Sequence, residues 1–329
     1  MKWTASAPCR LDFAGGWTDV APFADRHGGV VVNAAIEMRA TAEVSLGGEC
    51  HRLISEDLGL AAELRTPADY QANGTLNLLK AATKLSGVGP CQLVTRSAAP
   101  PGSGLGSSGA LGVALLRVLD EATGVERSRP ALALRAWQVE SVEAGLPGGQ
   151  QDQYAASLGG IHRFDFGSSG VAVEPLAIDP EFAAWLETHI VVCYTGQTRV
   201  SGDTIARVMG RYAAGDPVIG GALAQLVETA VQMAAALKRG NPALVGGLLA
   251  ANWRLQQVLD PGMATPLMTE LAATMRQDGA LGGKAAGAGA GGSMFFLMPH
   301  ERRGALESAR RLGIQVIPFR WANEGVRLW

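Results

Sequence analysis

Short runs of alternating or β-branched apolar residues dominate the first half of the chain, and helical spacing dominates the second. Residues 9–13, 29–36, 40–46 and 51–55 read as strands, with Gly47-Gly48 as a turn before the last of them. Residues 73–85 place Leu76, Leu79, Ala82 and Leu85 on one helical side, and residues 91–95 form a short strand. Residues 110–119 are apolar almost all round, the pattern of a helix buried in the middle of a protein, and 129–144 are a second helix. Beyond a strand at 189–194 the pattern turns helical at 204–212, 221–238, 242–259 and 265–277. A strand–loop–strand at 284–298, a helix at 301–312 and short strands at 315–320 and 326–329 complete an α+β chain. The charged, proline-containing stretch 174–187 is the best boundary between two domains, 1–180 and 181–329.

The 329 residues are 47% hydrophobic and 18% charged, which permits a large core and argues against disorder. A net charge of −2 leaves no basic footprint for nucleic acid or a membrane surface. The four cysteines form no CxxC pair and read as reduced thiols. No signal-peptide segment is evident, and no stretch reads as the ~18 apolar residues of a spanning helix. A cytoplasmic protein is expected.

Glycine is the outlier, with 43 residues. The run Pro100–Ala110 (PPGSGLGSSGA) lies between a strand and the buried helix, where backbone amides and a helix N-terminus can close on an anion. Ser107 and Ser108 then stand where hydroxyls reach a phosphate or Mg²⁺; the alternative is a turn with a serine N-cap. Gly104–Gly109 and Gly287–Gly292 each satisfy GxGxxG, but no strand ending in an acidic residue follows at dinucleotide spacing. A Walker A motif is also missing, since Ser107 stands where Gly-Lys-Ser/Thr is needed. Glu140 on a helix and Asp152 in a Gly-Pro loop form a carboxylate pair suited to metal-assisted phosphoryl transfer; a solvated helix charge and a turn residue are the alternatives. Residues 282–293 read as a tight loop between buried strands, and 14–19 close the first strand, with Asp19 as a ligand for hydroxyls or a cap. Three glycine-rich loops are expected to carry entropic cost without packing gain, which favours a functional role.

Together these segments resemble the galactokinase–homoserine kinase–mevalonate kinase–phosphomevalonate kinase (GHMP) superfamily over nearly the whole chain. The resemblance implies a ribosomal protein S5-like N-terminal domain and a ferredoxin-like C-terminal domain, with the site between them. It implies ATP contacts at Pro101, Gly102, Ser103, Gly104, Leu105, Gly106, Ser107, Ser108, Gly287 and Gly289, and Mg²⁺ at Ser108 and Glu140. Asp152 would orient or deprotonate the attacking hydroxyl, and Arg10 would offset charge in the transition state. Asp19, Trp17, Thr18 and Gly149 would meet the acceptor, a sugar or sugar phosphate, and Arg199 is the candidate for a second phosphate. Gly15-Gly16-Trp17-Thr18-Asp19 stands where galactokinase has Gly-Glu-His-Thr-Asp, which disfavours galactose. That run and Gln150–Gly160 are similar to the L-fucokinase kinase domain and to bacterial D-glycero-D-manno-heptose 7-phosphate 1-kinases. The expected activity is phosphorylation of an anomeric hydroxyl. A cyclitol or isoprenoid acceptor and a non-catalytic sugar sensor are the rivals, and a homodimer is among the open oligomeric states.

Overall fold

The computed structural model describes residues 1–72, 74–197, 201–300 and 302–329, with the side chain of Ser201 excluded. The first half runs β1 (Lys2–Ala14), α1 (Phe23–His27), β2 (Gly29–Leu46), β3 (His51–Ser55), β4 (Leu60–Leu64), α2 (Asn77–Ser86) and β5 (Cys91–Ser97). It continues with α3 (Ser107–Thr123), α4 (Arg129–Trp137), α5 (Gln151–Leu158), β6 (Ile161–Gly167) and β7 (Gly170–Pro175). The second half runs α6 (Pro180–His189), β8 (Ile190–Tyr194), α7 (Ser201–Ala213), α8 (Pro217–Lys238), α9 (Pro242–Leu259) and α10 (Pro266–Gln277). It ends with β9 (Gly282–Ala285), β10 (Ser293–Leu297), α11 (Arg303–Arg311), β11 (Gln315–Ile317) and β12 (Arg327–Leu328).

Two sheets carry these elements. The first has the order β12-β1-β2-β5-β3-β4, with β6 on β2 and β7 on β6; the second is β11-β8-β10-β9. The C-terminal strand thus returns to the first sheet, pairing Ala5 with Leu328. Residues 29–46 form one strand rather than two. Its pairing with β1 shifts between Pro8 and Cys9, opposite 36–39, and the polar Glu37 and Arg39 at that bulge break the apolar alternation. Gly47-Gly48 does not join a hairpin: β3 lies beyond β5 and runs parallel to it. The β6–β7 hairpin, β4 and α6 went unread, the last because its charged start (Asp179-Pro180-Glu181) is a helix N-terminus as much as a linker.

Helix α3 packs against β1, β2, α2, α4 and α5, which accounts for its apolar circumference. The largest core cluster joins Leu11, Phe13 and Val113 to Ile190, Met233 and Phe295, so both sheets contribute to it. A second cluster, mostly from the C-terminal half, also takes in Trp17, Val20 and Phe23. Contrary to the expectation from sequence, α8 is long and apolar enough to cross a membrane by length and composition. It packs on α9, β1 and β2, as a core helix does. The glycine loops also gain packing: a Cβ on Gly287 would stand 2.8 Å from the carbonyl oxygen of Gly104, so two backbones meet there without side chains. All four cysteines are free.

Candidate active site

β5 delivers the chain to the glycine-serine run, and α3 begins at Ser107. Its N-cap is Gly106, at φ 77°, with no side-chain cap. A serine N-cap is therefore excluded, and the hydroxyls of Ser107 and Ser108 belong to the first turn. The first intrahelical bond runs from the Ala110 amide to the Gly106 carbonyl, leaving the preceding amides without helical partners at the positive end of the dipole. Such a helix start can accept an anion.

The first turn of α5 lies against it. Asp152 is helical, not in a loop as the Gly-Pro context suggested. A Cβ on Gly109 would lie 2.6 Å from the Cβ of Asp152, so only glycine lets the two helix starts approach this closely. Arg10, from β1, donates from Nε (2.8 Å) and Nη2 (2.7 Å) to Oδ1 of Asp152. Its Nη1 donates to the carbonyls of Gly104 (2.7 Å) and Ala286 (2.9 Å), tying both glycine loops to the carboxylate. Burial alone would lower the Arg10 pKa, but the charges of Asp152 and Asp12 raise it above its ordinary value.

Glu140 sits in a π-helical segment, Gln138–Glu143, that extends α4. One of its oxygens accepts from Ser108 Oγ and the other from Gln153 Nε2 at 2.7 Å. Burial pushes Glu140 up to about 7, against those hydrogen bonds, which favour the charged form. Hydroxyl and carboxylate together form a hard oxygen donor pair. Mg²⁺ accepts so sparse a protein set because it retains water and takes phosphate oxygens.

On the other side of Asp152, Asp19 accepts from the Gln151 amide (3.1 Å) and from Gln151 Nε2 (3.4 Å). A Cβ on Gly149 would stand 1.9 Å from Asp19 Oδ2, so that pair depends on glycine. Burial raises Asp19 to about 6, against the Gln151 amide bond. Behind it lies a pair that the sequence reading missed. Lys284, fully buried, donates to the Asp12 carboxylate at 2.9 Å and to the Asp12 carbonyl at 2.7 Å. A lysine among the small residues of 282–293 and an aspartate inside an apolar strand were the available signals. Asn252 and Gln256 of α9 were also missed; they bond the Gly15 amide (3.0 Å) and the Gly287 carbonyl (3.0 Å).

Several side chains expected at the ligand are buried or bonded within the protein. Thr18 Oγ1 is bonded to the Gly15 carbonyl (2.7 Å) and the Val30 amide (3.0 Å), and Trp17 is buried in the second core cluster. Both side chains are engaged in the scaffold of the loop. The Leu105 side chain belongs to the core, and that of Ser103 is fully buried. Gly289 packs on Met263, where a Cβ would lie 2.8 Å from the methionine Cβ, while Gly287 meets the backbone of Gly104. The Pro101 carbonyl accepts from Tyr194. Arg199 lies outside the described residues.

Residues 72–160 match the GHMP kinases N terminal domain, and residues 233–313 match the GHMP kinases C terminal domain. The D-glycero-alpha-D-manno-heptose 7-phosphate kinase of Campylobacter jejuni is 30% identical over 98% of this chain and 97% of that protein. The chain belongs to the GHMP kinase family. This kinase is therefore a phosphotransferase with an alcohol acceptor. It is also 28% identical, over 88% of its length, to the bifunctional fucokinase/GDP-fucose pyrophosphorylase of Arabidopsis thaliana, of which it spans 29%. A crystal structure of a D-glycero-D-manno-heptose 1-phosphate kinase from Bacteroides thetaiotaomicron superposes on this kinase with a TM-score of 0.81. The identity is 23%, and the match covers 99% of this chain and 98% of that one, a shared two-domain α+β fold.

Proposed function

We propose that this kinase transfers the γ-phosphate of ATP to the anomeric hydroxyl of a sugar, a heptose 7-phosphate or a close relative. The observation that carries the reading is Asp152, pinned by Arg10 against the first turn of α3 with Asp19 one residue contact away. Arg10 holds Oδ1 of Asp152 twice, which leaves Oδ2 to orient the acceptor hydroxyl and take its proton. The first-turn amides of α3 and the hydroxyls of Ser107 and Ser108 would cradle the triphosphate, and Ser108 with Glu140 would hold Mg²⁺. The metal supplies charge neutralisation on the phosphate oxygens when bound. Little covalent chemistry is asked of the protein beyond alignment and charge. Asp19 would bind acceptor hydroxyls. The reading includes a cytoplasmic location and a domain division near residue 180.

The heptose kinase relative, aligned over nearly the full length, supports a heptose phosphate acceptor; the fucokinase relative supports an L-fucose-like acceptor as the second reading. ADP release measured with D-glycero-D-manno-heptose 7-phosphate, L-fucose, D-mannose and myo-inositol separates them. Turnover highest with the heptose phosphate is the expected result. Binding of these sugars without ADP release would replace the enzyme reading with a sensor.

A further inference from the structure

Two buried hydrogen-bond acceptors on the acceptor side of the site have no donor. Asp12 is 2% exposed; its Oδ2 takes the Lys284 ammonium, and its Oδ1 has no partner among the described residues. Gln151 is 8% exposed; its Nε2 reaches Asp19, and its Oε1 is likewise without a donor. Buried oxygens of this kind are rare in folded proteins, and a ligand or an ordered water normally satisfies them.

Gly16 brings the two side chains together by packing on their partnered atoms. A Cβ at that position would lie 2.2 Å from Asp12 Oδ2 and 3.1 Å from Gln151 Nε2, so only glycine lets the backbone approach both this closely. Asp19 is close enough to feel the Asp12 charge, and the Asn33 side chain steadies the Gln151 carbonyl at 3.4 Å. Gln151 directly precedes Asp152, so whatever occupies this corner lies beside the hydroxyl to be phosphorylated.

We propose that Asp12 Oδ1 and Gln151 Oε1 accept hydrogen bonds from two further hydroxyls of the acceptor, with Lys284 as the positioning residue that orients Asp12. The proposal rests on the sugar-kinase reading and deepens it. Two carboxylates and an amide oxygen select a neutral polyol face. An acceptor that turns its own carboxylate towards this corner meets like charge, and a sugar's existing phosphate must point away from it.

Steady-state kinetics on the wild type, Gln151→Leu and Asp12→Asn test it with heptose 7-phosphate, L-fucose, D-mannose, myo-inositol and mevalonate. The wild type is expected to use a polyol and to reject mevalonate. Gln151→Leu should raise the acceptor KM about tenfold while the KM for ATP stays within about twofold, because a lost hydrogen-bond partner is felt by one substrate only. A deoxy analogue lacking the hydroxyl that meets Gln151 should show no such difference between wild type and variant. Asp12→Asn leaves Lys284 without its counter-charge and can fail to fold; Gln151→Leu keeps that pair intact and remains decisive. Polyol turnover with an unchanged acceptor KM in Gln151→Leu overturns the hydroxyl sites and leaves the sugar-kinase reading standing. Preference for mevalonate, or no turnover at all, overturns both.

Discussion

Arg10 and Asp12 leave β1 two positions apart, hence on one face of the strand, and each meets an opposite charge from a distant part of the chain. Arg10 reaches Asp152, whose side chain is 27% exposed; Asp12 reaches Lys284 in a pair that is almost wholly buried. The cations are not interchangeable. The guanidinium fork of Arg10 serves one carboxylate oxygen and two loop carbonyls at once, and the carboxylate it holds stays partly open to solvent. Lys284 is a point charge that grips one residue through two oxygens and joins the second sheet to the first. Burial pushes its ammonium below the ordinary lysine range, and the Asp12 charge pulls the other way. An open pair suits proton transfer, and a closed pair suits orientation.

The contrast breaks most sharply at Asp152. Asp152→Asn should reduce turnover about a thousandfold, with ATP affinity measured by calorimetry nearly unchanged. Turnover within a few fold of wild type would remove Asp152 from the reaction. Lys284→Met should instead act on stability, costing about 3–5 kcal/mol in denaturant unfolding because a buried carboxylate loses its partner. Adding Asp12→Leu to Lys284→Met should recover much of that loss. No recovery would mean that the pair is not the unit described here.

A smaller effect is expected at Asp19. Its folded pKa of about 6 lies above the ordinary 3.8, so its contribution to stability is complete below about pH 3.8 and is lost as pH rises through 6. The gap corresponds to on the order of 3 kcal/mol. Asp19→Asn should therefore raise the stability of the ligand-free protein at pH 7.5, leave it little changed near pH 4, and raise the acceptor KM. Equal pH profiles for variant and wild type would contradict the buried-carboxylate account. Smallest is the metal side: Glu140→Gln should raise the Mg²⁺ concentration for half-maximal turnover about tenfold, read from a titration at fixed ATP. An unshifted titration would separate Glu140 from the metal.

Much of the fold was legible because its signals are local. The apolar circumference of α3, the proline start and length of α9, and the glycine runs each declare themselves within a few residues. Errors arose where a distant contact overrides the local pattern. The bulge in β2 interrupts alternation, and the loop at 145–149 was read as reaching Asp152 although Gln151 already begins a helix. Trp17, conspicuous in sequence, turned out to fill a core built from helices some 200 positions away.

The sequence by itself determined which chemistry was available: a helix start rich in glycine and serine, and a carboxylate at Asp152 and at Glu140. Those are properties of short segments, written in backbone freedom and in side-chain type. Only the tertiary structure decided which groups act together. Arg10 finds Asp152 across 142 positions, and Lys284 finds Asp12 across 272. The reason is physical: a charge is tolerated in an interior only where its counter-charge arrives, and arrival depends on sheet topology rather than on neighbours in the chain.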